Sequence, residues 1–165
     1  SMLKWSLDYK EHPVAIRVPV GNTVKSSREV PSDFSILNKY EVVHRGKDVA
    51  ILGLGNFYAM GEAVAGLLKE KGIDATVVNP RYISGIDEVL MEDLKDDHKL
   101  IITLEDGALE GGFGEKIARY MGPSSVKVRC YGAKKEFADR YDVSEFFTEN
   151  RLRADLITED VIKLL

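Results

Sequence analysis

Short apolar runs alternate with helical repeats of apolar residues along most of the chain. The runs are four or five residues long and rich in Val, Ile and Leu, as expected of strands that pack inside a sheet. They predict five strands, at residues 41–44, 49–52, 75–78, 100–104 and 126–130.

Between the predicted strands, apolar residues recur at spacings of three and four, which is typical of helices with one buried face. Asp87 opens one helix, and Thr158 is expected to cap the last one. The apolar faces consist of Phe57, Met60, Val64, Leu67 and Leu68, of Leu90 and Leu94, of Phe113, Ile117 and Met121, and of Val161, Leu164 and Leu165. We therefore predict a three-layer α/β fold, with right-handed crossovers and a mainly parallel sheet that carries helices on both faces.

The amino-terminal stretch departs from this order. Residues 14–18 give a further strand signal, closed by Pro19 and Gly21, but nothing before them supplies a sheet partner. Residues 23–39 mix Ser, Lys, Pro, Asp and Asn without periodicity, as surface loops do. We therefore expect residues 1–22 to be the remnant of a preceding domain, residues 23–39 a linker, and residues 40–165 a complete domain.

Composition and charge narrow the classes of function. The chain has 165 residues, 44% of them hydrophobic and 30% charged. A chain of this length and composition can bury a hydrophobic core without a metal or a disulfide. Its net charge of −4 gives no electrostatic attraction to nucleic acid or to an anionic membrane. No apolar stretch approaches the roughly 20 residues of a membrane span. The single cysteine excludes an internal disulfide, and we expect a cytoplasmic location.

A glycine-rich segment follows the predicted strand at 49–52. Gly53 and Gly55 resemble the start of a dinucleotide-binding loop, but Tyr58 stands where the third glycine of that loop is needed. We expect Tyr58 to keep helix and strand from approaching in the usual way. The segment is therefore interpreted as a tight turn.

A second loop lies at the carboxyl end of the predicted strand at 100–104 and carries Glu105, Asp106, Glu110, Gly111 and Gly112. Ligands usually bind at this edge of open α/β sheets, where free amides at a helix start hold anions. Three carboxylates argue against a phosphate and suit a cation or the basic groups of a partner. The alternative is that the loop only forms a turn and packs within the fold. The residues do not decide between a binding role and this structural role.

The remaining candidate residues lie apart. Cys130 falls on the apolar face of its strand, which predicts a buried and inert thiol. Arg17 and Arg81 each follow a strand signal, and each either binds an anion or forms a salt bridge. No metal-ligand spacing or base–nucleophile pair connects the three histidines, His12, His44 and His98. These residues predict no catalytic group and no metal site.

Five segments in order resemble the C-terminal domain of the transketolase family. They are residues 15–22, 46–55, 78–83 with 86–87, 103–106 and 111–114. The resemblance covers nearly the whole chain, and it is strongest to the 1-deoxy-D-xylulose-5-phosphate synthase branch of the family.

The resemblance implies a mixed sheet of five strands that packs beside a pyrimidine-binding domain, whose last strand would be residues 14–18. It implies a homodimeric parent that uses thiamine diphosphate and Mg²⁺ to decarboxylate pyruvate and join the fragment to glyceraldehyde 3-phosphate. The motifs that bind this cofactor belong to domains before this one. The chain is therefore expected to hold no catalytic, cofactor-binding or metal residue, to serve packing and dimer formation, and to be inactive alone.

One departure from the branch bears on the substrate. The synthases commonly have Arg-Tyr-Pro-Arg-Gly where this chain has Arg17, Val18, Pro19, Val20 and Gly21. Arg17 is expected near the substrate, and Val20 replaces an arginine that resembles a phosphate ligand.

Two alternatives remain. One is a transketolase with altered substrates. The other is the docking domain of a 2-oxoacid dehydrogenase beta subunit, in which Glu105, Asp106 and Glu110 would receive a basic partner segment.

Overall fold

The structure is a computed structural model that describes residues 1–18, 31–137 and 141–165, in two compact units, Ser1–Leu37 and Asn38–Leu165. The described residues of the first unit include a helix, α1 (Met2–Asp8), which the sequence pattern did not predict. Trp5 of this helix stacks on Tyr9 at 4.7 Å between ring centroids and meets the edge of Phe34 at 5.9 Å. The rings give this short unit an aromatic cluster.

The predicted strand at residues 14–18 is not formed, and that segment has neither helix nor strand structure. Among the described residues of the first unit there is no strand with which it can pair. A lone strand leaves its backbone amides and carbonyls without partners, so it gains nothing over solvated coil. Val14 and Val18 are accordingly exposed.

The second unit contains all five predicted strands and the four predicted helices, plus one short helix. The strands are β1 (Glu41–His44), β2 (Asp48–Gly53), β3 (Thr76–Asn79), β4 (His98–Ala108) and β5 (Lys127–Ala133). The helices are α2 (Phe57–Glu70), α3 (Glu88–Asp97), α4 (Phe113–Met121), α5 (Val143–Glu149) and α6 (Ala154–Leu164). The added element is α5.

The strands form one mixed sheet in the order β1-β3-β2-β4-β5. β1 pairs antiparallel with β3 at one edge, and the three other pairings are parallel. The central strand is covered on both faces because its residues alternate between two cores. Ala50 and Leu52 pack with α3 and α4, whereas Val49 and Ile51 pack with α2 and α6. The predicted three-layer α/β fold is confirmed.

The last helix starts earlier than predicted. Thr158 lies inside α6, where its hydroxyl donates to the Ala154 carbonyl at 2.7 Å. A threonine in a helix satisfies its hydroxyl in this way through the carbonyl four residues before it. The prediction that Thr158 caps the helix is therefore wrong, and Arg153 occupies the cap position.

Candidate functional site

The turn between β2 and α2 is built for close packing. A Cβ placed on Gly53 would lie 2.7 Å from the Tyr58 Cα, and one on Gly61 would lie 3.2 Å from the Ile51 Cγ2. Strand and helix therefore approach closely through Gly53 and Gly61. The contact uses Gly53, the first glycine of the pattern, together with Gly61, so strand and helix approach closely without a glycine at position 58. The interpretation as a tight turn agrees with this geometry.

Glu105 occupies the amino end of α4. Its side chain is buried, and its two carboxylate oxygens accept hydrogen bonds from the Phe113 amide at 2.7 Å and the Gly114 amide at 2.8 Å. A Cβ on Gly112 would lie 2.5 Å from the Glu105 Oε2, so the carboxylate fits only against a glycine. The amides that would bind an external anion are thus already used.

The rest of this loop lies at the surface. Asp106 and Glu110 are exposed, and Asp106 accepts a hydrogen bond from the Asn56 side chain at 3.2 Å. Gly111 has a φ of +75° and donates its amide to Glu115 at 2.8 Å. Of the five loop residues predicted to meet a partner, Glu105 is therefore buried, and its carboxylate is hydrogen-bonded within the fold. Asp106 and Glu110 remain as surface carboxylates.

The described residues around this loop form no metal-binding group. Among residues 1–18, 31–137 and 141–165, no three His, Cys, Asp or Glu side chains are grouped as a metal site would need. Two surface carboxylates attract a cationic side chain, but they supply neither a nucleophile nor a base paired with one.

Cys130 lies on β5 against the start of α4. A Cβ on Gly114 would meet its sulfur at 2.7 Å, so the thiol packs directly on the helix backbone. The side chain is half-buried, and burial raises the pKa of the thiol. A thiol with a raised pKa is protonated near neutral pH and is a poor nucleophile.

The two predicted arginines belong to different units of the structure. Arg17 is an exposed residue of the first unit, and Val20 lies outside the described residues. Arg81 belongs to the second unit, has a φ of +61° and donates from Nη2 to the Lys39 carbonyl at 2.8 Å. Arg81 thus has a structural contact at the carboxyl end of β3.

A cleft that the sequence did not indicate lies at the amino ends of the parallel strands, at the opposite end of the sheet from the loop that carries Glu105. Its volume is about 580 Å³, and its lining includes Arg45, Asp74, Asp97 and Lys99. Arg45 forms ion pairs with Asp93 and Asp97. These pairs join residues about 50 positions apart in sequence, so no local sequence pattern could predict them.

Comparison with known proteins identifies related chains. Residues 38–145 match the family described as transketolase, C-terminal domain. The 1-deoxy-D-xylulose-5-phosphate synthase of Clostridium botulinum is 33% identical over 165 residues, which are 99% of this chain and 26% of that protein. The synthase of Alkaliphilus oremlandii is 34% identical over 154 residues, which are 92% of this chain and 24% of that protein.

A solved structure shares the fold. It is a split-gene transketolase described as an inactive beta4 tetramer, with a TM-score of 0.70 and 26% identity over 78% of this chain and 42% of its own. The chain spans about a quarter of the length of the two synthases. In the described part of the chain, no helix is both long and apolar enough to cross a bilayer.

Proposed function

Since the chain belongs to the family of transketolase C-terminal domains, we propose that it is the C-terminal domain of a thiamine-diphosphate-dependent 1-deoxy-D-xylulose-5-phosphate synthase. The reaction of the whole protein joins pyruvate and glyceraldehyde 3-phosphate to form 1-deoxyxylulose 5-phosphate and carbon dioxide. Its product feeds isoprenoid, thiamine and pyridoxal synthesis.

The extent of the similarity carries this proposal. The family match begins at residue 38, but the similarity to the Clostridium synthase runs over 99% of the chain and so includes the first unit. A domain shared by many transketolase relatives would not by itself favour one of them. Similarity through the preceding segment favours the synthases.

We infer that the described residues of this chain do not hold the cofactor. A diphosphate needs free amides or cationic groups, but Glu105 takes the first amides of α4 and brings negative charge there. Mg²⁺ needs several oxygen ligands, and no group of three acidic or histidine side chains occurs in the described parts of the chain. We infer that thiamine diphosphate and Mg²⁺ bind in the preceding domains of the parent, where the cofactor supplies the carbanion chemistry.

The role of this domain in the parent is packing and dimer formation, with Arg17 near the substrate. Val20 stands where the synthases commonly have an arginine. Loss of a charged contact to phosphate costs on the order of 1.5–3 kcal/mol, so the preferred acceptor aldehyde depends on this position. A transketolase with altered substrates is the corresponding alternative.

A docking domain is the second candidate, and the exposed carboxylates of Asp106 and Glu110 favour it. A surface of that kind attracts a basic segment of a partner, as in the beta subunits of 2-oxoacid dehydrogenases. In that case Asp106→Asn with Glu110→Gln would abolish partner capture and leave the decarboxylation of the 2-oxoacid by the parent complex unchanged.

Identification of the product tests the proposed function. The whole parent protein is given isotopically labelled pyruvate, glyceraldehyde 3-phosphate, thiamine diphosphate and Mg²⁺, and its product is read by NMR. Labelled 1-deoxyxylulose 5-phosphate supports the synthase. A product formed only when a ketose phosphate replaces pyruvate would instead support the transketolase alternative.

A further inference from the structure

The helix α5 and the segment before it leave apolar side chains at the surface. α5 has no buried residue, whereas α2, α3, α4 and α6 each bury three or four. Val143 at its start is 59% exposed, Tyr141 just before it is 53% exposed, and Phe137 after β5 is fully exposed. We call Phe137, Tyr141 and Val143 the apolar patch. Single exposed apolar residues are common, but several close together are typical of a surface that another protein covers.

A series of aromatic rings connects the apolar patch to the core. Phe57 is buried at the start of α2, and its ring centroid lies 6.2 Å from that of Phe147 in α5. The Phe147 ring lies 6.4 Å from the Phe146 ring, which lies 4.8 Å from the Tyr141 ring. Contacts at these distances are favourable and fix the positions of the rings. Tyr141 is therefore held at the surface by the core beneath it.

The apolar patch lies at the end of the sheet where the chain enters the second unit. Phe137 follows the carboxyl end of β5. The entry is at the same end because β1 is antiparallel, and Glu41 at its start pairs with Asn79 at the end of β3. Four strand spacings, or about 19 Å, separate β1 from β5. A domain of about 100 residues has a radius of gyration of about 13 Å, so a domain before β1 is wide enough to reach the patch.

The length of the related proteins identifies the occupant of the apolar patch. The chain spans 26% and 24% of the two synthases, so most of each synthase lies outside the matched segment. We propose that the apolar patch is the surface on which the preceding domains of the same parent chain pack. This inference rests on the proposed function, which makes the chain one domain of a larger enzyme.

The charges beside the apolar patch fit such an interface. Lys134 and Lys135 before it and Asp142 and Glu145 beside it are exposed and carry both signs. Protein interfaces commonly have an apolar centre, rich in aromatic residues, and a polar rim. The Lys134 amide donates to the Asn150 side chain at 3.0 Å, so the segment after β5 is tied to the end of α5. The patch and its rim thus belong to one part of the surface.

Oxidation by hydroxyl radicals, read by mass spectrometry, tests whether the apolar patch is covered in the parent. The whole parent protein and the 165-residue chain are oxidised under the same conditions. We expect Phe137 and Tyr141 to be oxidised in the chain and to lose most of this oxidation in the parent. Ile162 is the control, because it is exposed on α6 near the opposite end of the sheet, where the Leu164 carbonyl meets Lys127 at the start of β5. Its oxidation should be the same in both proteins.

Photo-cross-linking in the whole parent identifies what covers the apolar patch. The photoreactive residue p-benzoylphenylalanine replaces Phe137 in one variant and Ile162 in a control variant. We expect the first variant to give a product with the mass of a single chain, in which the link joins position 137 to residues that precede this domain. The control should give no such link.

Three results would overturn the proposal. They are unchanged oxidation of Phe137 in the parent, a cross-linked product of doubled mass, which would assign the apolar patch to a second copy, and an equal yield of links from Ile162. The oxidation result needs only the unaltered proteins, so it holds even if a variant does not fold. None of these readouts depends on the reaction, and a parent that acts as a transketolase would still show the links. Failure of the proposed function is therefore distinct from failure of this inference.

Discussion

At the scale of single residues, Arg151 shows how an unfavourable backbone angle is held in place. It follows α5 with a φ of +56°, a region that suits glycine at the end of a helix. Its guanidinium donates twice to Asp160 of α6, with both distances at 2.7 Å. The ion pair thus offsets the strain and connects α5 to α6.

Substitution of Arg151 separates the angle from the ion pair. Arg151→Ala keeps the strain and leaves Asp160 without its cation, so we expect a loss of about 1–2 kcal/mol in the free energy of unfolding in urea, because the guanidinium is partly screened by solvent. Arg151→Gly should lose about 1 kcal/mol less, because glycine adopts this angle freely. Arg153→Ala, which removes an exposed pair with Asp155, is the control and should leave the free energy of unfolding nearly unchanged.

The same pair predicts a dependence of stability on pH. Burial raises the pKa of Asp160, but the hydrogen bonds from Arg151 outweigh it and leave the pKa below the ordinary value of 3.8. The folded state therefore binds fewer protons than the unfolded state. The contribution of the pair is complete above 3.8 and is lost as the pH falls through the folded-state pKa. Across this pH range, the free energy of unfolding in urea should change less with pH for Arg151→Ala than for the unaltered chain. The same pH dependence in both would contradict the assignment.

At the scale of elements, the packing of α2 on β2 depends on where glycines stand. Gly53→Ala would place a Cβ 2.7 Å from the Tyr58 Cα, and backbone cannot move aside as a side chain can. We expect a loss of about 1–3 kcal/mol. Gly66 is an exposed position of α2 with nothing within 4 Å of a new Cβ, so Gly66→Ala should stabilise by about 0.5–1 kcal/mol. Equal effects of the two changes in thermal unfolding would show that close packing is not the cause.

The amino end of α4 depends on Glu105. Glu105→Gln removes the charge that the Phe113 and Gly114 amides bind, and we expect a loss of about 1.5–3 kcal/mol in urea unfolding. Asp106→Asn alters the adjacent exposed carboxylate and should change stability by under about 0.5 kcal/mol. A similar loss in both variants would argue that the loop, rather than the carboxylate, fixes the helix.

Sequence patterns predicted elements better than they predicted side-chain partners. β1 to β5 and α2 to α4 follow from runs and repeats that belong to each element alone. The short helix α5 was missed because its seven residues are too few for a repeat, although Val143, Phe146 and Phe147 have helical spacing and Asp142 caps the helix. The direction of the Glu105 side chain depends on the position of the start of α4 relative to β4. That arrangement is tertiary, so no local sequence pattern predicts it.

At the scale of the whole molecule, the chain is expected to be a folded but non-catalytic part of a larger enzyme. Its α/β unit has two cores, one on each face of the sheet. We expect the isolated chain to be monomeric or weakly dimeric and not to bind thiamine diphosphate. Calorimetric titration checks this, and micromolar binding of the cofactor to this chain would contradict it.

Carbon dioxide release by the whole parent protein tests the central claim most directly. The protein is assayed with pyruvate, thiamine diphosphate and Mg²⁺, with and without glyceraldehyde 3-phosphate, and the 165-residue chain serves as the control. The account predicts release that depends on the aldehyde phosphate, and none from the chain alone. Failure of the parent to release carbon dioxide from pyruvate, or release by the chain alone, would contradict it.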